Sequence, residues 1–270
     1  MHLTEKVISY IASRGGTASY VVCVGKDGHH AIHRDLIPPE TECIFVIGGD
    51  GTLIRAARDV VGFEIPLIGI NLGNLGYLCE LEENTVCDAI EELFLDHYTV
   101  EKRMMLDGYM IKQQEKTHVT TALNDIVIHR AGSLQIVALN VYVNGEYLFS
   151  FMADGIIVAT PTGSTGYSMS AGGPIVDPKA RMLLMTPINA HTLNSKSIVI
   201  SAEDEIVIEV DSRRNEKDDQ VEVSFDGDNS MQLEAGDRIV VKKSESYTKI
   251  LKLSKISFLE ILRKKMQTYT

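Results

Sequence analysis

No stretch of this chain is long and apolar enough to span a membrane as a helix, and the N-terminus carries no secretory signal pattern. Both absences lead to the expectation of a cytoplasmic protein with no membrane partner. Positive charge is also in short supply: 26 Lys and Arg stand against 37 Asp and Glu, a formal net charge of -11. Such a surface does not favour non-specific binding to nucleic acid or anionic lipid, so no nucleic-acid partner is expected. Cysteine is sparse. Cys23, Cys43, Cys79 and Cys87 form no Cys-x-x-Cys pair, which argues for free thiols in a reducing compartment over zinc or disulfides. Gly28-His29-His30-Ala31-Ile32-His33 reads better as a solvated loop than as a metal site, and no protein metal cage is expected. A Walker lysine motif is missing, so a phosphate seat has to be built from backbone amides.

What is present is an alternation that changes character near residue 100. The 270 residues allow one large domain or two modest ones. Val7, Ile8 and Ile11 share one face of a first helix, with Thr4 as a plausible N-cap. Strands at 20–24, 44–47 and 66–70 then alternate with helices near 52–60 and 85–95, the rhythm of a parallel sheet with crossover helices. Beyond residue 100 come short strand-like runs at 104–113, 119–128, 135–143, 147–151, 155–159, 198–200, 206–210, 221–225 and 238–242. Asn144-Gly145 is a hairpin signal among them. Residues 213–220 read as a polar loop, and 257–266 as an amphipathic surface helix. The expected fold is α/β + β: an N-terminal Rossmann-like parallel α/β domain over 1–100, a mostly antiparallel β domain over 101–250, and a C-terminal segment, 251–270.

The chain is organised around the apolar run 43–47 and the turn after it, Gly48-Gly49-Asp50-Gly51-Thr52. The run is short and β-branched, hence a strand. The glycines let a ligand approach the main chain, and the helix that follows points its free N–H groups into the turn, which suits phosphate. An acid among phosphate-seating amides is electrostatically unfavourable. Asp50 is therefore either a general base that accepts a proton from a hydroxyl or an N-cap, a position Asp favours. Asn71 and Asn74 follow the third strand, either as part of the same crevice or as plain turn chemistry.

A second stretch, residues 154–174, reads as strand, hydroxyl-rich loop and helix. Thr160, Thr162, Ser164 and Thr165 offer small donors and acceptors, and Tyr167 a ring face and a phenol. These groups suit an adenine and its ribose; a capped Thr/Ser turn with a half-buried Tyr167 is the plainer alternative. Gly163 and Gly166 are candidates for a second set of phosphate-seating amides. Asn124-Asp125 opens a further strand and offers an amide for an adenine edge and a carboxylate for ribose.

Gly48-Gly49-Asp50-Gly51-Thr52 resembles a signature shared by NAD kinases and by diacylglycerol and sphingosine kinases. Residues 154–174 resemble the long second motif of the NAD kinase family nearly residue for residue. Asn124-Asp125 is similar to the family's Asn-Glu pair, with a shorter acid. Asn71-Leu72-Gly73-Asn74-Leu75-Gly76-Tyr77-Leu78 is similar to another family segment. The resemblance implies transfer of a phosphate from ATP to the adenosine 2′-hydroxyl of NAD, with Asp50 as base and Mg²⁺ carried in with ATP. It implies substrate and nucleotide contacts at Gly49, Gly51, Thr52, Asn74, Tyr77, Asn124, Asp125, Asp154, Thr160, Thr162, Thr165, Gly166, Tyr167 and Ser170. The family's basic residue before Asp154 has no counterpart in Phe151-Met152-Ala153, and Ala190 stands where the family has proline. The family's strand ahead of the first helix is also not found here. The resemblance further implies that the C-terminal segment returns to the first domain, and that the protein is a homodimer or homotetramer in which Asp154 and His191 approach a neighbour's site. Ile175, Val176, Met182, Leu183, Leu184, Met185 and Ile188, apolar without a clear period, are candidates for the subunit contact or for the β domain's own core. A lipid kinase and a dinucleotide-binding protein without turnover are the alternative functions.

Overall fold

The computed structural model describes residues 2–22, 32, 34–73, 76–132, 136–191, 196–212, 221–253 and 256–267. The chain forms two compact units, Met1–Lys102 with Thr248–Thr270, and Arg103–Tyr247. Asn74, Cys23, Val24 and all but Ile32 of the His-rich stretch lie outside the described residues, as does the polar loop 213–220.

The first unit opens with helix α1 (His2–Ser13), which has Thr4 inside it and not at its cap. Strand β1 (Ile44–Gly48), helix α2 (Asp50–Asp59), strand β2 (Leu67–Asn71), the short strand β3 (Leu81–Glu82) and helix α3 (Val86–Phe94) follow. β1 and β3 both run parallel to β2, and Ile250, near the end of the long strand Arg238–Lys252, joins β2 at Leu67. Every residue of β2 is buried, as a parallel strand covered on both faces requires. Leu3 and Val7 of α1, Ile68 and Ile70 of β2, Ile90 of α3 and Leu251 form one core. Gly69 sits where a Cβ would lie 2.7 Å from both Leu53 and Cys79, so its lack of a side chain lets α2 and the chain after β2 pack down together. The expected strand at 20–24 is not formed at Tyr20, Val21 or Val22. These are 61%, 46% and 64% exposed. β-branched composition favours a strand only where a neighbouring strand and a core face receive it.

The second unit is built from strands. In chain order these are β4 (Thr99–Lys112), β5 (Glu115–Lys116), β6 (Thr120–Ala122), β7 (Asp125–Arg130), β8 (Val137–Val143), β9 (Glu146–Ala153), β10 (Gly155–Ala159), β11 (Met182–Ile188), β12 (Ile198–Ser201), β13 (Ile206–Val210), β14 (Val221–Phe225), β15 (Asp228–Leu233) and β16 (Arg238–Lys252). A six-stranded antiparallel sheet has the order β12-β11-β10-β7-β14-β15. A second antiparallel set runs β16-β13-β8-β9. Asn144 and Gly145, both at positive φ (51° and 80°), make the predicted hairpin turn between β8 and β9. The two sets share one core that contains Ile126, Ile128, Ile156, Val158, Val141 and Ile208. The alternate residues Val127, Ile157, Ala159 and Leu184 form a second cluster on the other face of the six-stranded sheet.

That double burial explains two departures from expectation. β11 shows no polar alternation because both of its faces are covered, so the sequence pattern does not reveal it. Leu183, Leu184, Met185 and Ile188 are 0%, 0%, 1% and 8% exposed and fill the unit's own interior. They are not available as a subunit contact. The expected run 119–128 is broken into β6 and β7 by a carboxylate from elsewhere in the chain, described below. Among the described residues no helix is long and apolar enough to cross a membrane.

Candidate functional site

The turn after β1 places Gly49 at the N-cap of α2 and Asp50 at its first residue, with no side-chain capping bond. The N-cap reading of Asp50 is therefore overturned. Its carboxylate turns instead to the segment after β2. Oδ2 accepts the N–H of Tyr77 at 2.7 Å, and Oδ1 accepts those of Leu78 at 3.1 Å and Cys79 at 3.0 Å. The Cys79 thiol is buried and feels the same carboxylate. Burial first, and then the Asp50 charge, push that thiol up to about 12. A carboxylate offers about four acceptor positions, and these amides take three of them. Gly76 makes the arrangement possible, since a Cβ there would overlap Asp50 Oδ1 and lie 2.8 Å from its Cγ. Around Gly49 and Gly51, by contrast, an added Cβ meets nothing within 4 Å among the described residues, which leaves room for a ligand at the turn. Thr52 packs its side chain on Gly48. Asn71 accepts the Gly73 N–H at 3.0 Å, which is turn chemistry.

A cleft of about 620 Å³ in the second unit brings Asn124, Asp125, Asp154 and Tyr167 together, a size and concavity typical of small-molecule sites. Arg130, Asn189 and Asp226, which sequence reasoning missed, line the same cleft. Asp226 does the local shaping. Its Oδ2 accepts the Leu123 N–H at 2.8 Å, and its Oδ1 accepts those of Asn124 at 2.7 Å and Asp125 at 3.1 Å. These bonds take three amides away from a ladder and end β6 before β7 begins. Asp226 and Gly227 have φ of 52° and 75°, the geometry of a two-residue hairpin turn, so the Asp-Gly pair between apolar runs was a readable signal.

The Asn124 Oδ1 atom is buried and, among the described residues, has no hydrogen-bond donor. A buried acceptor left unmade is costly in a finished interior and expected where a ligand supplies the donor. Asp125 beside it is 5% exposed. Burial first, and the Asp226 charge second, raise its carboxyl to about 7. Asp154 accepts from Asn189 Nδ2 at 2.9 Å and from Arg130 Nε at 2.9 Å, and both hold its carboxyl below the ordinary range. The basic partner missing before Asp154 thus arrives from β7. The His191 N–H donates to the Met152 carbonyl at 2.9 Å.

The hydroxyl-rich loop is a different matter. Its strand-loop-helix reading holds, as β10, a 3₁₀ turn at Gly163–Thr165 and a short helix at Tyr167–Ser170. Its polar groups are largely spent on itself. Thr160 Oγ1 donates to the Leu123 carbonyl and accepts from the Gly163 N–H, and Thr165 Oγ1 donates to the Thr162 carbonyl. The Ser164 and Gly166 N–H groups bond the carbonyls of Pro161 and Gly163. Thr160, Thr162 and Ser164 are buried. The Gly163 and Gly166 N–H groups are thus already bonded within the loop, and Thr160, Thr162 and Thr165 are not among the residues that line the cleft. Gly163 lies against the Asn124 backbone, Gly166 lies beside the Asn124 amide, and exposed Ser170 does not line the cleft. Tyr167, 48% exposed, does. Among the described residues no three His, Cys, Asp or Glu side chains are grouped to hold a metal ion.

The raised Asp125 carboxyl makes a pH prediction. Between the ordinary Asp value of 3.8 and about 7, the folded protein holds a proton here that the unfolded chain has lost. Asp125 therefore contributes stability that is fully present below about pH 4 and declines until about pH 7. Chemical unfolding of wild type and Asp125→Asn across pH 4–8 is expected to diverge by a few kcal/mol, roughly, with wild type losing ground as pH rises. Parallel curves would mean that Asp125 titrates normally.

Residues 24–98 and 123–253 match the sequence models of the ATP-NAD kinase N-terminal and C-terminal domains. An NAD kinase of Agathobacter rectalis is 58% identical over 99% of this chain and 94% of its own length. One from Lachnospira eligens is 43% identical over 97% and 94% respectively. Among solved structures, yeast NADH kinase complexed with NADH matches 84% of this chain and 67% of its own, at 28% identity and a TM-score of 0.78. An Archaeoglobus fulgidus NAD kinase in complex with ATP shares the fold over 98% and 94% of the two chains, with a TM-score of 0.79 at 22% identity.

Proposed function

The chain belongs to the NAD kinase family, and we propose on that footing that it moves the terminal phosphate of ATP to the adenosine 2′-hydroxyl of NAD, yielding NADP and ADP, with Asp50 as general base. The relatives and both domain matches name NAD kinases, and none supports a lipid kinase or a binder without turnover. In this reading the hydroxyl proton passes to Asp50, the freed oxygen attacks phosphorus, and the bond to the ADP oxygen breaks. Gly49, Gly51 and Thr52 at the open α2 terminus seat phosphate. Mg²⁺ arriving with ATP supplies the positive charge that the turn lacks.

The observation that carries the acceptor half is the buried, donor-less Asn124 Oδ1. An adenine amino group is the donor that fits it, with Asp125 for ribose hydroxyls and the Tyr167 ring for stacking. Calorimetric titration tests this. Asn124→Ala and Tyr167→Ala are each expected to weaken NAD binding about tenfold, near 1.4 kcal/mol, and to leave ATP binding nearly unchanged. Equal losses for both ligands would point to a loosened fold instead.

We also propose a cytoplasmic homodimer or homotetramer. Cys43, Cys79 and Cys87 are free thiols, which suits a reducing compartment. Tyr147 and Leu148 on β9 and Val199 on β12 are exposed on strands at sheet ends, edges that a second copy can cover.

A further inference from the structure

The loop that holds Asp50 is itself held. Glu80 directly follows Cys79, the last of the three amides that bind the carboxylate. Glu80 Oε2 meets Lys252 Nζ at 2.6 Å, and the two side chains are only 3% and 9% exposed. Glu80 Oε1 accepts the N–H of Leu253 at 2.8 Å. At the other end of the loop, the ring of Tyr77 lies 6.3 Å from that of Phe258, and the Lys265 ammonium sits over it at 4.7 Å. Both ends of the segment Tyr77-Leu78-Cys79-Glu80 are thus gripped by residues 252–265, which follow it in the chain only after the whole of the second unit.

We propose that Glu80 and Lys252 are positioning residues for Asp50, and that the end of β16 and the helix Phe258–Gln267 serve as the brace that aims its carboxylate. The inference rests on the reading of Asp50 as general base. A buried ion pair is a poor source of stability, because desolvation offsets the attraction, but it enforces one geometry. Here the enforced geometry is that of three consecutive amides directed at a single carboxylate. A shift of the loop moves the donors, and the carboxylate moves with them. The productive distance to a hydroxyl is short, so small displacements are felt in the chemical step. None of these brace residues is among those that line the cleft with Asn124 and Asp125.

The test uses Glu80→Gln, Lys252→Met and the two combined, each in the full chain with Asp50 and with Asp50→Asn. Removing both charges together avoids stranding one of them, so the combined variant keeps the experiment readable if a single one fails to fold; thermal unfolding and NAD titration verify the fold. With Asp50 present, kcat is expected to fall about tenfold or more while KM for NAD stays within about twofold. With Asp50→Asn, the same changes are expected to cost nothing further, because a brace has no effect once its cargo is gone. Unchanged kcat in the folded combined variant, or the same fractional loss in both backgrounds, overturns the brace. Full turnover by Asp50→Asn alone is a separate outcome that removes the base and the brace together.

Discussion

Asp50→Asn is expected to lower kcat by about 10²–10⁴ and to change NAD affinity by less than about tenfold. The amide preserves size and one acceptor oxygen, but it cannot take a proton. It also has to turn an NH₂ toward one of the backbone donors now bound by the carboxylate. The least costly placement puts Nδ2 where Oδ2 is, losing the single Tyr77 bond and keeping the Leu78 and Cys79 bonds to Oδ1. That loss amounts to about 1–3 kcal/mol of local stability. Single-turnover kinetics, with a melting curve beside them, separate the two effects: a variant that melts a few degrees lower and still turns over normally would leave Asp50 with a structural task only. Gly76→Ala reaches the same carboxylate from outside, and its Cβ is expected to push Asp50 off its three amides.

Gly163→Ala is expected to be as damaging on the acceptor side. The new Cβ would overlap the Asn124 carbonyl oxygen and lie 2.6 Å from the carbonyl carbon and 2.8 Å from Cα. These are backbone atoms with nowhere to go. The Asn124 N–H is bound to Asp226 at 2.7 Å, and its carbonyl accepts the Thr160 N–H at 2.8 Å. Overpacking against fixed backbone costs about 1–3 kcal/mol or more, and displacing Asn124 is expected to weaken NAD binding by more than about tenfold. Gly166→Ala is the internal comparison. Its Cβ would stand 3.3 Å from both the Asn124 side-chain amide and the Gly163 carbonyl oxygen, with no overlap of the kind met at Gly163, so a milder loss is expected. Calorimetry and thermal unfolding on both variants read the difference. Wild-type affinity in a stable Gly163→Ala protein would contradict the packing account.

Which parts of this were readable in the chain follows from the range of the interactions. Gly48 to Thr52 and residues 155–170 fold through neighbours, and local pattern was enough to recover strand, turn and helix in order. Asn124-Asp125 was placed at the mouth of β7 for the same reason. The task of Asp50 was half legible. Its chemistry was stated, but its partners stand 27 to 29 residues away across a parallel sheet. Asp226 is about a hundred residues from the amides it binds, and Arg130 reaches Asp154 only because β7 and β10 pair. Composition misled twice. The hydroxyls of Thr160, Ser164 and Thr165 looked like ligand groups but bond nearby backbone groups, and the apolar stretch around residue 184 looked like a contact surface because a strand buried on both faces has no alternation to show.

Phosphate transfer to NAD is tested by the formation of NADP by this chain with ATP, Mg²⁺ and NAD, followed through an NADP-specific dehydrogenase. NADP is expected to appear in step with ADP, and Asp50→Asn under the same conditions is expected to produce it slower by at least about a hundredfold. ADP release without NADP, or NADP formation that is indifferent to Asp50→Asn, would contradict this reading.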